Sequence, residues 1–128
     1  ERTLIARTDM GEEVDWSVLN SKQIPKPHAK VIEVPTEFAL HNNYPNPFNP
    51  MTNIRFDLPE AAHVSITIYD VSGREVIRLV NQNMNIGYHR IAWDATDKYG
   101  RNVASGLYIF RMRTSNGFNQ TNKMMLMR

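Results

Sequence analysis

The stretch Asn53-Ile54-Arg55-Phe56-Asp57-Leu58-Pro59-Glu60-Ala61-Ala62-His63-Val64-Ser65-Ile66-Thr67-Ile68-Tyr69 decides the fold class. Ile54, Phe56 and Leu58 recur with a period of two, and Asn53, Arg55 and Asp57 fill the alternate positions. After a break at Pro59-Glu60-Ala61, Val64, Ile66 and Ile68 alternate in the same way with Ser65, Thr67 and Tyr69. Successive side chains of a strand point to opposite faces, so the pattern reads as two strands, each with one buried and one solvated face. A helix would need its apolar residues three and four apart, and no window of a dozen residues carries that stripe.

The same grammar continues downstream. Asp70-Val71-Ser72-Gly73-Arg74 reads as a turn, Val76 to Val80 as a strand of less regular pattern, and Asn81 to Gly87 as a loop. Tyr88 to Ala92 reads as a strand, with Ile91 and Trp93 on one face, and Asp94 to Gly100 as a second Asp/Gly turn region. Leu107 to Arg113 is a strand that groups Tyr108, Phe110 and Met112. Ser115-Asn116-Gly117 is a hairpin turn, because Asn-Gly accepts positive φ at little cost, and Asn119 to Met127 is the last strand. Upstream, Tyr44-Pro45-Asn46-Pro47-Phe48-Asn49-Pro50 cannot be helical, since each proline removes a donor and restrains its predecessor. It reads as a rigid entry to the domain, with a peptide ligand for another domain as the alternative. About seven short strands at this spacing argue for an all-β, immunoglobulin- or fibronectin-III-like antiparallel sandwich over residues 38–128. Without cysteines, its core rests on Phe56, Trp93, Tyr108, Phe110 and aliphatic residues.

Residues 1–37 differ. They hold apolar clusters at Leu4-Ile5-Ala6 and from Val14 to Leu19, the spaced prolines Pro25 and Pro27, and a candidate strand from Val31 to Val34 stopped by Pro35. We read them as the tail of a preceding domain and a linker. The alternative is that residues 1–36 form an extended arm, adding a strand to a sheet edge of its own domain or of a neighbouring copy.

The totals narrow the function. A chain of 128 residues, 41% hydrophobic and 22% charged, has room for one globular domain with a small core. Its net charge of +2, from 15 basic against 13 acidic residues, creates no field of the kind that binds nucleic acid. The absence of Cys excludes disulfides, thiol catalysis and Cys-based metal sites. No apolar stretch approaches the ~18 residues that span a bilayer. The chain opens on Glu1-Arg2-Thr3, with neither an initiator Met nor an apolar leader, and we expect it to be a fragment or mature C-terminal portion of a longer protein.

Chemistry finds little footing. His28, His41, His63 and His89 have no metal-ligand spacing, and no nucleophile elbow, phosphate loop or dinucleotide fingerprint occurs. Asp94, Asp97 and the carbonyls around Gly100 have calcium's preferred oxygen chemistry but too few carboxylates, so turn capping is the default reading. Asp57 with Glu60, or Asp94 with Asp97, could be imagined as carboxylate pairs for glycoside hydrolysis, but each lies at a strand end or turn with no cleft evident. No catalytic, cofactor-binding or metal residue is therefore assigned, and the chain is read as a non-enzyme.

Several motifs carry a family resemblance when taken in order. Tyr44-Pro45-Asn46-Pro47-Phe48-Asn49-Pro50 followed by Thr52-Asn53-Ile54-Arg55-Phe56 resembles the opening of the type IX secretion C-terminal sorting domains (type A), which are related to the immunoglobulin-like domain of flagellar hook-capping proteins. Leu58-Pro59-Glu60, Asp70-Val71-Ser72-Gly73-Arg74-Glu75-Val76, Gly87-Tyr88-His89, Trp93-Asp94 and Gly100-Arg101-Asn102-Val103-Ala104-Ser105-Gly106-Leu107-Tyr108 continue it, and Lys123-Met124-Met125-Leu126-Met127-Arg128 resembles the family's closing strand. Met51 departs from it, standing where a small polar residue is usual. The likeness covers residues 38–128.

This resemblance implies a protein of Bacteroidetes-type bacteria, exported through the periplasm to the outside or the cell surface. The outer-membrane secretion machinery would read the domain, a cargo domain would precede it in the same chain, and cleavage often follows export. It also implies recognition residues at Asp70, Gly73, Arg74, Gly106, Tyr108, Lys123 and Arg128. Asp70 and Gly73 also read as a plain tight turn, and Lys123 as a charge that guards a sheet edge. Two other functions remain open from the residues: a structural subunit of an extracellular assembly that uses residues 1–36 for strand addition, and a carbohydrate-binding module presenting Trp16, Tyr44 and Tyr99.

Overall fold

The computed structural model describes residues 33–128, and these form seven strands without a helix. They are β1 (Ala39–Leu40), β2 (Thr52–Leu58), β3 (Ala62–Tyr69), β4 (Glu75–Met84), β5 (Gly87–Trp93), β6 (Gly106–Thr114) and β7 (Asn119–Leu126). One sheet has the order β1-β2-β5 and the other β4-β3-β6-β7, and every pairing is antiparallel. This is the expected immunoglobulin-like sandwich.

The two strands of the deciding stretch lie in opposite sheets. Ile54, Phe56 and Leu58 of β2 face Val64, Ile66 and Ile68 of β3 across the core, all of them at most 1% exposed. Pro59-Glu60-Ala61 is therefore an arch between sheets, not a hairpin turn within one. The β3–β4 and β6–β7 connections are hairpins within the second sheet, while β4–β5 and β5–β6 cross between sheets. Trp93 anchors the middle, with Tyr108 edge-on at 5.4 Å and Phe48 tilted at 5.7 Å between ring centroids, in the offset geometries that aromatic rings prefer.

Two expectations need correction. The loop assigned to Asn81–Gly87 is strand as far as Met84. Asn81 and Asn83 stand opposite Ser65 and His63, and their side-chain oxygens lie 2.8 and 3.1 Å from the His63 ring nitrogens. Register shifts against β3 at Ile66/Thr67 and Ile68/Tyr69 mark bulges, which blur the alternation of β4 in the sequence. The proline segment is also more than an entry. Phe48 is 2% exposed within the core, and its backbone bridges β7: Phe48 N–H donates to Met125 O at 3.0 Å and Met127 N–H donates to Phe48 O at 2.9 Å. Asn46 Oδ1 accepts from Met125 N–H at 3.0 Å. The segment thus caps the far end of an otherwise free sheet edge, whose backbone groups would be left to solvent or to another chain.

Of the candidate strand at 31–34, Val31 and Ile32 lie outside the described residues, and Glu33 and Val34 carry no strand. The tail, linker or arm at residues 1–36, with Trp16 and His28, lies almost wholly outside them.

Candidate functional site

Two turns of identical plan stand at one end of the sandwich. Asp70 directly follows β3, and Asp97 lies in the β5–β6 connection; each begins the pattern Asp-x-x-Gly-Arg. In the first, Asp70 Oδ1 accepts from the backbone N–H of Ser72 at 2.9 Å and of Arg74 at 3.1 Å, and Arg74 Nε donates to Oδ2 at 3.2 Å. In the second, Asp97 Oδ1 accepts from the N–H of Tyr99 and of Arg101, both at 2.9 Å, and Arg101 Nε donates to Oδ2 at 3.0 Å. Each Asp N–H also donates to the carbonyl of its arginine, and each Gly N–H to the carbonyl of its aspartate. Gly73 and Gly100 take φ of +88° and +80°, the left-handed conformation that lets such a loop close.

The carboxylates are held ionised. Asp70 is lowered below the ordinary value of 3.8, first by the Ser72 hydroxyl and then by the Arg74 and Ser72 amides, against some desolvation. Asp97 is lowered first by the Arg101 amide, then by the Tyr99 amide and the Arg101 guanidinium, again against desolvation. Hydrogen bonds donated to the charged form are the common cause.

Between the turns lies a cleft of about 440 Å³. Arg74, Lys98, Tyr99 and Arg101 stand at its rim, and Val76, Val103, Ala104 and Tyr108 form its wall. The Tyr108 hydroxyl donates to Ala104 O at 2.6 Å; burial, followed by the Asp70 charge, pushes its pKa above 10.0. Arg128 ties the end of the chain to the same loop. Its Nε donates to Val103 O at 2.7 Å, its Nη2 to Ala95 O at 2.9 Å, and its backbone N–H to Ser105 Oγ at 2.9 Å. Gly106, at φ +149°, starts β6 opposite Leu126 beside that clamp.

Among the residues expected to act in recognition, Asp70, Gly73, Arg74, Gly106, Tyr108 and Arg128 therefore share one end of the domain. Lys123 does not: it stands on the solvent face of β7, opposite Ile109. Asp97 and Arg101 also belong to the cluster, and reading the second Asp/Gly region as a calcium ligand set or a plain turn overlooks them. The repeated Asp-x-x-Gly-Arg spacing was the available signal. Asp94, the other half of that calcium reading, accepts from the Thr96 hydroxyl at 2.5 Å. Among the described residues no three His, Cys, Asp or Glu side chains gather as a metal site would require. Tyr44 and Tyr99 are both exposed.

Residues 46–117 match the FlgD Ig-like domain family. The chain belongs to that family. Its FlgD Ig-like sandwich is a structural fold shared with PorU of Porphyromonas gingivalis, solved as a dimeric latent form, at 25% identity and a TM-score of 0.57 over 76% of this chain and 10% of that one. PorZ of the same organism, described as an essential bacterial surface component of the type-IX secretion system, is 22% identical with a TM-score of 0.48 over 71% of this chain and 11% of its own. FlgD of P. aeruginosa is 23% identical with a TM-score of 0.48 over 60% of this chain and 64% of its own. The chain thus spans about a tenth of PorU and of PorZ. No curated protein matches it.

Proposed function

We propose that this FlgD Ig-like domain is a type A sorting and anchoring module. Joined behind an exported cargo domain, it is read by the outer-membrane secretion machinery and delivers that cargo from the periplasm to the cell surface. Its work is recognition, without catalysis and without a cofactor. The single observation that carries the reading is the convergence of residues far apart in sequence. The Asp70–Arg74 turn, Gly106, Tyr108 and Arg128 meet at one end, where Arg128 spans two carbonyls of the β5–β6 loop. The motif series from Tyr44 to Arg128 adds the family-level support.

Such a tag needs a shape that survives transport and presents the same groups each time. The paired turns supply it: every carboxylate oxygen in them is satisfied locally, so the arginines emerge from preset positions. The test is to fuse the whole chain behind an exported reporter in a host with type IX secretion. Protease-accessible reporter at the cell surface is expected, with Arg74→Ala and Arg128→Ala, each confirmed folded by circular dichroism, leaving it in the periplasm. Retention of the unsubstituted fusion would refute the proposal.

A further inference from the structure

The cleft between the two turns has an unbalanced hydrogen-bond inventory. Asp70 and Asp97 spend both oxygens inside their own turns. Glu75 lies 3.6 Å from Arg78. On the donor side, each of the two arginines commits only its Nε. Among the described residues, neither donates a hydrogen bond through its Nη atoms, and the Lys98 ammonium donates none. The Arg74 and Arg101 side chains are 84% and 71% exposed. An arginine whose Nε is held by a carboxylate keeps a planar set of outward N–H groups, fixed in direction and suited to two-point contact with an anion.

Charge and shape choose among anions. Asp70 and Asp97 offset Arg74 and Arg101, and Glu75 lies beside Arg78, so Lys98 leaves the cleft with donors in excess and a charge of about one. A compact, doubly charged oxoanion would gain little there. A single carboxylate on an apolar stem fits better, because Val76, Val103 and Ala104 supply an apolar wall. Tyr99, 70% exposed, has the Arg101 guanidinium at 4.9 Å and the Lys98 ammonium at 5.5 Å from its ring centre. That arrangement holds both cations beside the opening.

We infer that this cleft is a peptide-carboxylate site: Arg74 and Arg101 grip one carboxylate of a protein partner from two sides, with Lys98 and Tyr99 at its edge. The carboxylate comes from an Asp or Glu side chain or from a chain terminus. The inference rests on the reading of this end of the domain as a recognition surface, and it names the chemistry that surface takes.

The test is an NMR titration of the whole chain with three short peptides. One has blocked ends and a single glutamate, the second has glutamine there, and the third has a free C-terminal carboxylate and no acidic side chain. Side-chain Nε signals of Arg74 and Arg101 should shift with the first or the third, which identifies the source, and not with the second. Arg74→Gln and Arg101→Gln should each weaken that binding roughly tenfold or more, the loss of a charge-assisted contact. Lys98→Ala, at a side chain that holds no turn together, should weaken it several-fold with the fold untouched. Equal shifts with the glutamine peptide, stronger binding of inorganic sulfate or phosphate than of either carboxylate peptide, or no shift at millimolar peptide would each overturn the site. Loss of the site with surface delivery intact would discard the carboxylate reading alone; failed delivery of the unsubstituted fusion leaves the titration standing.

Discussion

Gly73 and Gly100 have open space where a Cβ would be built, so any cost of adding one is backbone cost. Gly73→Ala or Gly100→Ala should therefore lower stability by about 1 kcal/mol, the penalty of holding a left-handed residue with a side chain. Gly73→Asn should lose less, because Asn tolerates that conformation, and urea denaturation of the three variants checks the order. The neighbouring aspartates make a pH prediction. Their folded pKa values are lowered, so the unfolded chain takes up protons first as pH falls. Stability from these groups is full above the ordinary value of 3.8 and is lost as pH drops through the lowered folded values. Thermal melts between about pH 5 and pH 2 should show this loss, and Asp97→Asn should flatten it. At this scale the turn around Asp70 was readable, because Asp, Gly and Arg at fixed offsets report local backbone bonding. Its twin at Asp97 is equally written in the repeated Asp-x-x-Gly-Arg spacing, and what the geometry adds is that the two turns face one cleft.

Among the elements, β7 depends on a segment distant in sequence. Its inner edge pairs with β6, and part of its outer edge is closed by Asn46 and Phe48. Phe48→Ala should cost about 3–5 kcal/mol, for a buried aromatic ring and the cavity it leaves. Because small domains hold only about 5–15 kcal/mol in total, a large share of the folded state would go with it. Asn46→Ala should cost about 1 kcal/mol and speed amide exchange at Met125 selectively, since it removes that amide's side-chain acceptor and no apolar contact. The buried faces of β2, β3 and β6 were legible from alternation alone. Phe48 was not: it stands among prolines and asparagines, without a period, and its burial comes from the sheet it reaches.

For the whole molecule, the Arg128 clamp joins the end of β7 to the β5–β6 loop. Arg128→Ala should leave the sandwich folded, because every strand pairing and core contact persists. Amide exchange at Val103, whose N–H donates to Ala95 O, should accelerate roughly tenfold while β3 and β6 amides keep their protection. Uniform acceleration throughout the domain would show instead that the clamp supports the entire fold. The same variant should fail in surface delivery, which separates an ordered recognition end from mere stability.

Local periodicity determined the strands β2, β3 and β6 and their buried faces, because φ/ψ preference and side-chain alternation act over a few neighbours; it did not reach all of β4, whose alternation is broken by bulges. Tertiary structure alone decided that β2 and β3 part into opposite sheets, that Phe48 enters the core, and that two matching turns line one cleft while Arg128 ties down the loop beside it. Those facts follow from the order in which strands pair across the molecule, and short sequence patterns do not specify that order.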